Sequence, residues 1–220
     1  MNEFMITNFS SEDTADGDEI MTDQFRPDFQ SLEQNIIDVI KEEEIKLGFR
    51  KETIRLYYPK ESLDNLLNVN LSINELKRVL DGFCDYTEEK FGKLRYSCED
   101  RRFCIVIPEK GVVYVHEQVE DRYFLKEFID KIGAQDCSID DILSVFNRYS
   151  NQVICEKVTH GEFDYLIYFK DGIPDTYRYC IKFEDCHAIY HRFTIADYDS
   201  FGFEKEHKIT VDKDTNRVYY

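Results

Sequence analysis

A chain of 220 residues, 42% hydrophobic and 15% aromatic, holds enough apolar material for one large domain or two small ones without metal or disulfide support. Its 45 acidic against 28 basic residues give a net charge of −17, which excludes a nucleic-acid binder, because phosphate neutralisation needs clustered Lys and Arg. The same sign disfavours anionic membrane surfaces. Apolar runs such as Cys104-Ile105-Val106-Ile107 fall far short of the roughly 20 residues that span a bilayer.

Residues 1–30 read as a flexible acidic tail: no period of 2 or 3.6 is sustained, and residues 1–28 carry eight acids against Arg26 alone. Met1 to Ile20 contain no Lys or Arg and no apolar segment of signal-peptide length, so a cytoplasmic location is expected. Ser31-Leu32-Glu33-Gln34 offers a capping box, and the stripe Leu32, Ile36, Ile40, Leu47 predicts a helix over 31–47 that Gly48 ends. Thr53 to Tyr58 alternates as a strand, with Ile54, Leu56 and Tyr58 inward. A helical turn begins at Ser62, and Ser72-Ile73-Asn74-Glu75 caps a longer helix.

Three strands are predicted next, over 93–98, 102–107 and 111–117, as an antiparallel meander. Helical spacing returns at Tyr123 to Ile132 and again behind Ser138-Ile139-Asp140-Asp141. Strands over 153–158, 163–169, 177–183 and 187–195 follow, with a last hairpin near Lys213 to Asn216. The expected class is α+β, with helices packed on one face of antiparallel β-meanders behind the disordered tail. Residues 31–220 are read as a single domain, with sub-domains at about 31–135 and 136–220 as the alternative.

Glu44-Ile45-Lys46-Leu47-Gly48 followed by Ile54-Arg55-Leu56-Tyr57-Tyr58-Pro59, within 36–67, resembles the opening of an uncharacterised domain family of gut clostridial bacteria. The resemblance implies a bacterial cytosolic protein and carries no assigned activity or catalytic residue.

No nucleotide, hydrolase, zinc-protease or calcium-loop motif is present, so no cofactor is expected and the balance leans away from an enzyme. Cys186, His187 and His191 are the nearest approach to a metal or pocket constellation, but on a strand His187 and His191 lie about 13 Å apart. Cys98 and Cys104 flank a turn, and a symmetric five-residue loop would set them opposite one another as a redox pair. Cys155 with His160 is a poor nucleophile pair, and Glu42-Glu43-Glu44 reads as a solvated helix face. Phe163, Tyr165, Phe169, Tyr177, Tyr179 and Phe183 are expected to line one sheet face. Arg55 and Tyr57, and Arg178 on the face opposite the rings, are the predicted exposed binding residues.

Two functions compete on these grounds. The leading one is a non-enzymatic protein-interaction domain, of the toxin-neutralising immunity type, acting on a basic protein partner. The other is a small-molecule-binding or enzymatic domain with a pocket between helices and the C-terminal sheet.

Overall fold

The computed structural model describes residues 27–158, 162–185 and 187–201. The chain opens with helix α1 (Phe29–Leu47), strand β1 (Ile54–Pro59), α2 (Lys60–Leu67) and α3 (Ile73–Phe91). Strands β2 (Arg95–Glu99) and β3 (Arg102–Ile107) lead into α4 (Glu109–Gln118), α5 (Tyr123–Ile132) and α6 (Ile139–Tyr149). Strands β4 (Val153–Lys157), β5 (Tyr165–Phe169), β6 (Arg178–Glu184) and β7 (His187–Phe193) precede α7 (Ile195–Phe201). Both sheets are antiparallel, so the class is α+β as expected. No described helix is long and apolar enough to cross a membrane.

The first sheet has the order β1-β3-β2. Its inner residues Ile54, Leu56, Tyr58, Phe103, Ile105 and Ile107 share one hydrophobic cluster with Leu32, Ile36 and Ile40 of α1, Leu80 and Phe83 of α3, and Val112 and Val115 of α4. β2 and β3 are joined by Asp100-Arg101 alone, both at positive φ (45° and 65°), the backbone that a two-residue hairpin requires to match strand twist. The register therefore pairs Cys98 with Phe103 and Ser97 with Cys104. The five-residue loop expected between Cys98 and Cys104 does not form: Cys98 packs against the core, while Cys104 belongs to the outer face.

The predicted strand at 111–117 is helix α4, and its place in the sheet is taken by β1, which pairs with β3 from Ile54↔Ile107 to Pro59↔Arg102. The β-branched run misleads here because packing overrides propensity: Val112 and Val115 recur at helical spacing against the core, and Pro108 opens the helix. Gly111 is needed at this entry, since a Cβ there would stand 2.7 Å from Ile107 Cγ2.

The capping box at Ser72 forms, with Ser72 N–H donating to Glu75 Oε2 at 2.9 Å. So does the one at Ser138 and Asp141. At α1 the expected Ser31 box does not: Asp28 is the cap, accepting the Ser31 N–H at 3.0 Å, and the helix begins two residues earlier.

The second sheet runs β4-β5-β6-β7 and carries α5 and α6 on one face. There Phe124, Phe128, Phe146, Phe169 and Tyr179 form a ring cluster with edge-on centroid distances such as 4.9 Å for Phe124 to Phe169 and for Phe128 to Tyr179. Tyr165, Tyr177 and Phe183 join this face as expected. Phe163 does not, because it precedes β5 and packs instead on the far face with Leu166, Cys180 and Phe193. The last predicted strand stops at Phe193, and Ile195 starts α7. The hairpin near 213–216 lies outside the described residues.

Candidate functional site

Among the described residues, helices pack on the inner face of the first sheet and leave its outer face uncovered. On its outer face two rows cross the three strands: Arg55, Val106 and Arg95, then Tyr57, Cys104 and Ser97. Alternation along the strands dictates this, since Ile54, Leu56 and Tyr58 point into the core and their neighbours must point out. Tyr57 is 58% exposed. Arg55 and Arg95 flank Val106 two strand spacings apart, about 10 Å, and neither makes an ion pair among the described residues. Arg101 is paired with Glu61 at the hairpin end, where Arg102 stands opposite Glu99. The face is a shallow hollow of about 1060 Å³. Two of the predicted binding residues, Arg55 and Tyr57, thus lie side by side on it, and Arg95 joins them.

Arg178 is elsewhere. It lies on β6 of the second sheet, its guanidinium stacked 3.9 Å from the Tyr168 ring centre, half-buried. His187 is exposed opposite Glu184, and His191 packs between the Phe163 and Phe193 rings at 5.3 and 6.2 Å. Burial pushes the His191 pKa down, helped by Lys46 and opposed by Glu42. Cys186 and His160 are outside the described residues. Among the described residues no group of three metal-ligating side chains comes together. Burial, reinforced by Glu156, pushes the Cys155 thiol up, away from a reactive thiolate.

A second polar region joins α1 to the C-terminal sheet. Asp38, Glu42 and Ile45 recur at i, i+4 and i+7, so they share a stripe of α1 turned from the first core toward β7. Glu42 accepts from the Arg192 guanidinium at 2.8 Å, from Lys46 at 2.8 Å and from the Tyr190 hydroxyl at 2.7 Å. Burial raises the Glu42 pKa, but the charges of Arg192 and Lys46 and the bonds from Lys46 and Tyr190 outweigh it and hold the carboxyl below its ordinary value. Glu42 and Glu44 are therefore not the solvated face expected of Glu42-Glu43-Glu44; their side chains are 13% and 12% exposed.

Arg192 stacks 4.2 Å over the Tyr177 ring, and Tyr177 donates its hydroxyl to Asp38 at 3.0 Å. Arg122, ahead of α5, bonds the other oxygen of Asp38 at 2.9 Å. These groups line a cavity of about 500 Å³ with Asp175, which accepts from the Tyr179 hydroxyl at 2.6 Å. Burial pushes the Asp175 pKa up, against the lowering pull of the Tyr179 bond and of Arg192. A pocket between helices and the C-terminal sheet thus exists, and neither His187 nor His191 lines it. Asp38, Asp175 and Arg192 were not singled out in the sequence: Asp38 and Arg192 meet across 154 positions, so no short motif links them, and the bonds of Asp175 to Tyr177 and Tyr179 are local and follow no motif either.

A family model described as a domain of unknown function from an E. rectale gene description, DUF3877, matches residues 29–202. Neither a curated protein nor a solved structure matches the chain.

Proposed function

As a member of the DUF3877 family, the chain inherits no activity from its relatives, and we propose from its surface that it is a non-enzymatic interaction domain binding an acidic segment of a partner protein. The bare outer face of the first sheet is the contact surface. One observation carries this reading: Tyr57 stands exposed beside Arg55 and Arg95 on a sheet face that no described helix covers, in a chain of net charge −17. Tyr and Arg are the residue types that dominate binding energy at interfaces, since they supply area and directed hydrogen bonds at low conformational cost.

Local sign decides the partner. The net charge alone suggests a basic partner and an immunity-type role, but Arg55 and Arg95 present positive charge without paired carboxylates. The hollow is lined by Arg55, Arg95, Arg101 and Arg102 against Glu61, Glu99 and Asp100, and these acids gather at the hairpin end with Arg101 and Arg102, so within a Debye length, about 8 Å at physiological salt, a partner on the Arg55 and Arg95 row meets positive charge first. Two carboxylates about 10 Å apart on an extended segment would meet the Arg55, Val106, Arg95 row.

Fluorescence anisotropy of labelled poly-L-glutamate at two salt concentrations tests the reading, with poly-L-lysine and a single-stranded oligonucleotide as comparisons. Salt-sensitive binding of poly-L-glutamate that Arg55→Glu with Arg95→Glu abolishes is the expected result. Preference for poly-L-lysine would return the basic partner, and equal affinity for the oligonucleotide would make the face a general polyanion site.

A further inference from the structure

A smaller cavity, about 290 Å³, opens beside the second half of α1 and is walled by Ile45, Phe49 and Tyr123. Lys41 and Glu44 both line it, and at i, i+3 they are neighbours on one helix face. Lys41 is buried, Glu44 is half-buried, and both are poorly partnered. The Lys41 side chain is 4% exposed, and its counter-charge, Asp121 Oδ1, stands 3.7 Å away, beyond hydrogen-bond reach. Glu44 Oε1 is buried with no hydrogen-bond partner among the described residues, while Oε2 lies 3.5 Å from His116 Nδ1. A buried acceptor without a donor is uncommon in native proteins, because it forfeits hydration without replacement. The helix has thus placed an anion and a cation side by side, facing one cavity, without pairing them to each other.

We infer that this cavity binds a small zwitterion of the α-amino acid class, its ammonium donated to Glu44, its carboxylate received by Lys41, and its side chain against Ile45, Phe49 and Tyr123. An α-amino acid carries its two charged groups on one carbon, matching side chains three positions apart on a helix. Phe49 and Tyr123, 60% and 69% exposed, would gain cover from an apolar or aromatic side chain. The inference is independent of the sheet face.

Calorimetry with L-phenylalanine and L-leucine tests it on the full chain. Phenethylamine lacks the carboxylate, and 3-phenylpropionate lacks the ammonium. Saturable binding of at least one amino acid at millimolar concentration or below is expected, with both half-analogues weaker by at least about tenfold, the loss of one charge-assisted hydrogen bond. Glu44→Gln and Lys41→Met should each weaken amino-acid binding by about tenfold, while Tyr57→Ala leaves it unchanged. Glu44→Gln removes a buried charge and keeps the shape, so the fold is retained and this variant decides if Lys41→Met unfolds. Absence of binding by both amino acids, equal binding of either half-analogue, or undiminished binding in Glu44→Gln would overturn the inference.

Discussion

Charge is used in opposite ways on the two sides of this molecule. On the outer face of the first sheet, Arg55 and Arg95 stand in solvent on either side of Val106 and make no ion pair among the described residues. At the seam between α1 and β7, Arg192 is 5% exposed and is held by Glu42 and by the carbonyl of Asp38. An exposed arginine loses little by having no partner and retains its capacity to bind something else. A buried one has lost its hydration and depends on its partners. The first arrangement suits recognition, and the second fixes how α1 lies on the C-terminal sheet.

The largest expected effect comes from breaking the seam. Arg192→Ala leaves Glu42 buried without its strongest counter-charge and should cost about 3–5 kcal/mol of unfolding free energy, read from urea denaturation. Replacing both partners, Arg192→Met with Glu42→Leu, should cost far less than the two single changes together, because no lone charge then remains inside. Additive losses would show that the two residues act independently and would remove the contrast with the sheet face.

The acid limb of stability gives a smaller signal. The folded pKa of Glu42 lies below its ordinary 4.5, so its contribution is present above that value and is lost as pH falls through the folded value. Asp175 works the other way: its folded pKa is raised from 3.8, so protonation as pH falls favours the folded state. Wild type should therefore lose stability below about pH 4.5 through Glu42, partly offset by Asp175. Glu42→Gln should flatten this decline, and Asp175→Asn should steepen it, in urea midpoints taken across that range. An unchanged slope in Glu42→Gln would mean that the seam's charge does not contribute to acid stability.

The smallest effect on stability belongs to the sheet face. Tyr57→Ala, Arg55→Glu and Arg95→Glu should each shift the unfolding free energy by no more than about 0.5 kcal/mol, since nothing in the core rests on these side chains.

Much of the frame was legible in local sequence. The box at Ser72 and Glu75, the αL stop at Gly48 and the alternation of Ile54, Leu56 and Tyr58 are short-range signals, and each marks the element expected of it. What failed depended on contacts far along the chain. Val112 to Val115 carry strand propensity, but β1 claims the edge of β3 and the segment is left to pack as a helix. Arg55 and Tyr57 were identifiable because a strand's outward parity needs no knowledge of its neighbour. Arg95 was not, because the row it completes depends on the order β1-β3-β2. Asp38, Glu42 and Arg192 were hidden for the same reason, and an acidic run on a helix gave no sign that one of its members would be buried against a strand.

The most direct measurement is the affinity of poly-L-glutamate for wild type and for Arg55→Glu with Arg95→Glu, taken at two salt concentrations with unfolding curves of both proteins beside it. An interaction surface on the bare sheet face requires tight, salt-weakened binding by wild type, loss of that binding in the double variant, and unfolding curves that superimpose. Undiminished binding by the double variant, or no binding by wild type at low salt, would contradict it.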